Sequence, residues 1–425
     1  VYSFTRLVSP DIHPGIIQDY LQLIDGVPDY TAGRAERVTG LAAPDPATVV
    51  IRLEKPYPSF LFVLCMDQAK IVPREEVERL GPEGFGRTPV GTGPFRLADW
   101  VPDESMILVA NPDYFGSPAY LDSVVVLHFP PDQGQRERRA FYSGKLHAME
   151  MNQSETREMR RHGSFQLVRR LELSMEFLGL HAQTPPFNDR RVRQAVTMAI
   201  DRKALLQAAG RGCETPTGIL PPGLPGYSPN PKILPEDVAR SRALLSEAGY
   251  DQDHPLRFDL YTASRTPHAV VRDSMIAASL ARVGVQVTIK SVSWRELNEA
   301  IDAGTANAFQ ITWIADLPDP DSFLYTLLSS EGKYNIVNYH NLEVDSLLAA
   351  ARDEANPARR LAIYREAEEL ILFDAPVIPI FNVLLTYAFH PSIRGVEMSP
   401  FGISSVPLEK VWFERAKGEE LLARL

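Results

Sequence analysis

Asp316 and Arg265 are the charged residues whose placement suggests chemistry. Arg265 follows a predicted strand ending at Tyr261 (LRFDLY), and Asp316 follows one ending at Ile314 (AFQITWI). In open parallel sheets, ligands gather beyond the carboxyl ends of the strands. If both strands belong to one sheet, the two charges face one crevice with opposite sign. That pairing suits a zwitterion, because a carboxylate takes an ammonium and a guanidinium takes a carboxylate. Trp313 either lines such a pocket or sits in the core, the usual fate of a strand tryptophan. Plainer readings stand beside these. Asp316 can cap a helix or open a turn in DLPDPD, and Arg265 can pair with Asp316 or with a surface carboxylate. Asp319 and Asp321 read as loop and turn residues.

Catalytic patterns are scarce. Neither G-x-S-x-G nor H-E-x-x-H occurs. His128, His147, His162, His181 and His340 are scattered singly, and no Cys or His pair has a structural zinc spacing. No catalytic residue, metal or cofactor is therefore expected. Gly91-Thr92-Gly93 lacks the Lys-Ser/Thr and the helix that a phosphate loop needs. The paired acids Glu75-Glu76, Glu368-Glu369 and Glu419-Glu420 read as solvated helix faces.

The elements that must position Arg265 and Asp316 form a β-α-β-α-β run. Strand 256–261 leads to a helix over 267–283, with Met275, Ile276, Leu280 and Val283 inward and Gly284 ending it. Strand 285–289, a helix over 294–303 stopped by Gly304, and strand 308–314 follow. This order implies parallel strands with right-handed crossovers. Upstream, Thr184 to Gly210 reads as two short helices, capped by Asn188 or Asp189 and by Asp201, with Gly210 closing the second. Val192, Ala195, Val196, Ala199 and Ile200 share one face, and Arg190, Arg191, Arg193 and Gln194 take the wet side. Pro216 to Pro235 reads as a long ordered surface loop, and Glu236 to Ala248 as a helix. Helices over 342–351 and 358–372, an apolar extended segment over 376–388 and a polar helix over 414–425 complete the chain. Toward the front, Thr48–Leu53 is a strand, Phe60–Met66 is buried, and Arg74–Leu80 is a helix stopped by Gly81.

The wording of three stretches is more specific than their patterns. PPFNDRRVRQAVTMAIDRKAL, TPVGTGPFRLADWVPDESMILVANPDYFGSPAY and WIADLPDPDSFL resemble, in the expected order, the extracytoplasmic solute-binding proteins of peptide and nickel importers, family 5. The resemblance implies an α/β, two-lobed periplasmic-binding-protein-like fold (type II, the three-domain peptide-binding variety) with mixed sheets and a hinge. It implies residues 1–87 as the remainder of a small second domain, 88–181 plus 391–425 as the first and 182–390 as the third. It implies that the chain opens inside the family pattern, without the family's amino-terminal stretch. Asp316 resembles the aspartate of a W-x-x-D motif that holds a peptide's amino terminus, Arg265 the arginine that takes the carboxyl terminus, and Trp313 the motif's tryptophan. The expected partners are a short peptide or similar small solute and a membrane permease, with the protein acting as a monomer in the periplasm or outside the membrane. A ligand-sensing or regulatory domain of the same fold is the alternative, and a peptide hydrolase a distant third.

Composition agrees with a globular, multi-domain chain. It has 425 residues, 44% hydrophobic and 23% charged, with a net charge of −10. A nucleic-acid partner would call for a basic stripe, and none appears. No apolar run approaches the ~18 residues of a membrane span, and no signal peptide is visible. Cys65 and Cys213 are the only cysteines, and two buried free thiols are favoured over a disulfide.

Overall fold

The computed structural model describes residues 1–425 except 13–14, 131–133, 152–155, 157–164, 210–211, 231, 264–266 and 415–425. The chain divides into two compact units. The first comprises Val1–Glu54, Val63–Arg170 and Leu385–Leu425, and the second Lys55–Phe62 and Leu171–Leu384.

In the first unit, α1 (Tyr2–Leu7), α2 (Ile17–Leu21) and α3 (Val27–Thr31) bury Phe4, Leu7, Ile17, Leu21 and Val27. A hairpin follows, β1 (Leu41–Asp45) with β2 (Thr48–Ile51). The helix α4 (Arg74–Arg87) is broken at Gly81, whose positive φ of 70° marks the expected stop before a further turn. An antiparallel meander of β3 (Phe95–Val101), β4 (Ser105–Ala110) and β5 (Ser123–Leu127) comes next. After α5 (Gly134–Tyr142), the strand β6 (Ala148–Glu150) packs Met149 with Phe141 and Ala388. Around Phe60–Met66 the expectation needs correction. Phe60, Val63 and Met66 are buried at one-turn spacing, whereas Leu61 and Phe62 are exposed, because the segment is a short helical turn (Phe60–Val63). Cys65 is exposed and Cys213 half-buried, both as free thiols, so Cys65 is not the buried thiol expected.

The strand β7 (Gln166–Leu171) runs into the second unit, where β8 (Ser174–Leu180) begins the central sheet. Its neighbours are set by the helices between them: α6 (Arg190–Ala199), α7 (Arg202–Ala209), the short β9 (Cys213–Glu214) and α8 (Val238–Glu247). Then come β10 (Arg257–Thr262), α9 (Pro267–Ala281), β11 (Gln286–Ser291), α10 (Trp294–Asp302) and β12 (Ala308–Ile314). Both β11 and β12 pair with β10 in parallel, as the alternating elements require. The helices α11 (Asp321–Leu328), α12 (Leu342–Asp353) and α13 (Pro357–Asp374) lead to β13 (Val377–Phe389), which continues into the first unit. Strand β8 lies antiparallel between β12 and β13, making the sheet mixed. The last pair, β14 (Ile393–Arg394) with β15 (Trp412–Phe413), belongs to the first unit. The polar helix expected over 414–425 lies outside the described residues.

Strand alternation gives the sheet of the second unit two covered faces. Met175, Phe177, Phe309 and Ile311 face Phe323, Leu324, Tyr364 and Ile371 of α11 and α13. Leu178, Leu180 and Leu260 face Val192, Val196, Ile276 and Leu280 of α6 and α9. Gly179 stands opposite Phe309, and a Cβ there would come within 2.5 Å of that ring. Asp189 caps α6 by accepting from Arg191 N at 2.8 Å, and Ser293 with Glu296 forms a capping box on α10. The site expected for the Gly210 cap lies outside the described residues.

Three polar readings of the sequence are overturned here. Arg193 does not take the wet side: it is buried, donating from Nε to Asp374 O at 2.8 Å and from Nη1 to Phe187 O at 2.7 Å. The loop over 216–235 is not a surface loop at its centre, because Ile219, Leu220 and Leu224 belong to the core. Glu368 is not solvated either. Its Oε1 accepts from Ile219 N at 2.8 Å and Leu220 N at 3.1 Å, and Lys232 Nζ approaches Oε2 at 3.3 Å. A buried loop must satisfy its backbone amides, and this carboxylate does so.

Candidate functional site

The residues past the end of β12 form a tight bend. Trp313 stands opposite Met175 in β8, and Ala315 N still donates to Leu173 O at 2.8 Å. The chain then turns at Asp316 and enters α11. One residue of that helix holds both motif residues. Ser322, fully buried, accepts from Trp313 Nε1 through its carbonyl at 2.9 Å and from Asp316 N through its Oγ at 3.0 Å. The Trp313 ring also lies 5.3 Å from that of Tyr334. The tryptophan is thus half-buried and fixed in orientation, and packs against the core.

Asp316 is different in kind. Its Oδ2 is cut off from water yet has no hydrogen-bond partner among the described residues. Burial pushes its carboxyl up to about 6, only partly offset by its own backbone amide. A carboxylate held out of water with an unused oxygen is poised for a cationic hydrogen-bond donor.

Asp319 and Asp321, expected as loop and turn residues, are instead buried and paired. Asp319 takes both ends of the Arg360 guanidinium at 2.7 Å each, and Ser59 Oγ at 2.6 Å. Asp321 takes Arg352 Nε at 3.0 Å, Tyr57 Oη at 2.8 Å and Tyr364 Oη at 3.2 Å. Two carboxylates meet two guanidiniums, so the cluster is neutral. It clamps the bend that carries Asp316. Sequence reading missed Ser322, Ser59, Tyr57, Arg352 and Arg360. The only local signal was a serine beside the DPD run; the rest lie far away in sequence.

Of the other expected site residues, Arg265 lies outside the described residues. It falls between Thr262, the end of β10, and Pro267, the start of α9. Among the described residues, no group of three or more His, Cys, Asp or Glu side chains is placed to hold a metal ion, and no helix is long and apolar enough to cross a membrane.

The chain is similar to known proteins in sequence and in fold. The profile of "Bacterial extracellular solute-binding proteins, family 5 Middle" matches residues 1–335. Heme-binding protein A of Haemophilus influenzae is 28% identical, the alignment covering 95% of this chain and 74% of that one. The dipeptide-binding protein of Escherichia coli is 27% identical, covering 95% and 76%. Among solved structures, the ABC transporter-associated periplasmic binding protein DppA of Helicobacter pylori, in complex with the peptide STSA, superposes with a TM-score of 0.80. It is 27% identical, with 97% of this chain and 81% of that chain covered.

Proposed function

The chain belongs to the family-5 bacterial extracellular solute-binding proteins, and from that premise we propose that it captures a short peptide, or a similar small polar solute, and hands it to the membrane permease of an ABC importer. One observation carries the ligand class: the buried Oδ2 of Asp316, without a partner among the described residues, just past the carboxyl end of β12. A peptide's α-ammonium supplies what that oxygen lacks, a positive charge with N–H donors. Two similar proteins, a dipeptide-binding protein and a binding protein in complex with the peptide STSA, support the same reading.

In this reading Asp316 anchors the amino terminus and Arg265 takes the carboxyl terminus. Trp313, locked by Ser322, forms part of the wall beside the anchor. Lobe closure about a hinge would exclude water and strengthen both charge contacts. The protein binds its ligand without turning it over and works as a monomer outside the cytoplasmic membrane. We further propose the finer division into a second domain over 1–87, a first over 88–181 plus 391–425, and a third over 182–390.

The test is a thermal-shift series of di- to pentapeptides with free or acetylated amino termini, with mass spectrometry of small molecules released on denaturation. Stabilisation by free but not acetylated peptides is the expected result. Equal stabilisation by both removes Asp316 from the ammonium role, and a released sugar, chelate or haem overturns the peptide reading.

A further inference from the structure

The sheet face that carries Leu178 and Leu180 changes character toward the start of β8. Alternation places Ser174 and Glu176 on this same face. Across β12 their partners are Ile314 and Thr312, both exposed, so this end of the face opens to solvent. Here Arg272 of α9 donates to Glu176 Oε1 at 3.0 Å, to Asp273 Oδ1 at 2.8 Å and to Thr262 Oγ1 at 3.3 Å. Two carboxylates share one guanidinium, so one of them lacks a full counter-charge, and burial pushes both carboxyls up. Both are held with little water, the side chains of Glu176 and Asp273 being 14% and 2% exposed. The neighbouring thiol of Cys213 feels the same environment: burial, then the charges of Glu176 and Glu214, push it up to about 12.

Nearby lie acceptors with nothing to accept. Ser174 Oγ and Asn382 Oδ1 have no partner among the described residues, and the two residues are 0% and 1% exposed. Asn382 Nδ2 donates to the Ser174 carbonyl at 3.1 Å, but Phe381 is the residue paired with Glu176, so alternation sets Asn382 on the other face of the sheet. A buried acceptor left unmade costs ~1–3 kcal/mol. An under-compensated carboxylate beside the unpartnered hydroxyl of Ser174 is complementary to a cation that carries several N–H donors, whose binding would favour the ionised carboxylate.

We propose that Glu176 and Ser174 form a subsite for a basic side chain of the bound ligand, a lysine ammonium or an arginine guanidinium. Thr312, opposite Glu176, is two residues from the end of β12 at Ile314, and Asp316 follows in the bend just beyond. A peptide anchored at Asp316 and extended along the end of β12 brings its second or third side chain to Glu176. The proposal rests on the peptide reading for this position, while the cation preference comes from the cluster itself.

The experiment titrates Ala-Lys-Ala and Ala-Ala-Lys against their norleucine counterparts by calorimetry. One lysine peptide is expected to bind about tenfold more tightly than its norleucine twin, as for one charge-assisted contact. Glu176→Gln should abolish that preference. Ser174→Ala removes an atom with no partner among the described residues, so it should lower lysine-peptide affinity a few-fold without lowering the melting temperature. Equal affinities in the unmodified protein overturn the subsite, as does a lysine preference that survives Glu176→Gln. If no tripeptide binds, the peptide reading has failed, and cadaverine and agmatine are titrated instead. Amine binding lost in Glu176→Gln then supports the subsite, and absence of amine binding overturns it.

Discussion

Asp316 and Asp319 are three residues apart in one bend and are treated in opposite ways. Asp319 meets a forked guanidinium and a serine hydroxyl, and its neighbour Asp321 meets Arg352 and two tyrosines. Asp316 meets a hydroxyl only through its backbone amide, and one carboxylate oxygen has no partner among the described residues. Burial is costly to both kinds of charge. In the closed cluster that cost is offset inside the protein, and at Asp316 it is left for something else to offset. The comparison separates charges that build the bend from the charge the bend presents.

The comparison breaks most directly at the closed cluster. Arg360→Met leaves Asp319 buried without its counter-charge and should cost ~3–5 kcal/mol of stability in urea unfolding. A loss near zero would mean that the two aspartates are not distinguished by pairing. At the open end, Asp316→Ala should weaken peptide binding by more than about tenfold, or ~1.4 kcal/mol, measured by calorimetry. Unchanged affinity would remove Asp316 from the site.

Two smaller effects sharpen the contrast. The Asp316 carboxyl is raised in the folded protein to about 6, so the ligand-free fold loses stability as pH rises toward that value and carries the full penalty above it. Asp316→Asn should therefore stabilise the ligand-free protein by ~1 kcal/mol at pH 7, and the gain should shrink as melts are taken below about pH 6 and vanish well below the ordinary aspartate value of 3.8, where both states are protonated. A gain independent of pH would point to packing rather than charge. Peptide affinity should move the other way, falling as pH drops below about 6 and Asp316 takes up its proton. The smallest effect belongs to a pair in water: Arg74 and Glu78 sit 2.7 Å apart with 68% and 54% of their side chains exposed. Arg74→Ala should leave stability essentially unchanged, and a clear loss in thermal melts would show that pairing alone, without burial, sets the scale.

Local patterning made much of the second unit legible. Apolar periodicity and glycine stops marked the helices over 267–281 and 294–302, and alternation marked the strands that flank them. The end of β12 was therefore legible, and with it the place of Asp316. What escaped was the pairing of charges. Asp319 finds Arg360 at a separation of 41 residues and Ser59 at 260, and Glu368 finds Ile219 at 149. A single sequence displays polarity but not the distant partner that permits its burial, so Asp319, Asp321, Arg193 and Glu368 all read as wet. Arg193 was further disguised by its neighbours Arg190 and Arg191, which keep about half their side chains exposed.

The single carboxylate of Glu368 fastens the proline-rich loop at residues 219–220, with Lys232 drawn to the same anchor. The exposed stretch Pro229–Asn230 lies beyond that fastening. Length and sequence at the tip are thus uncoupled from the seating of the base. A lineage, or an engineer, can lengthen the tip and reshape the surface it covers, while the rivet at Glu368 keeps the change from reaching the core.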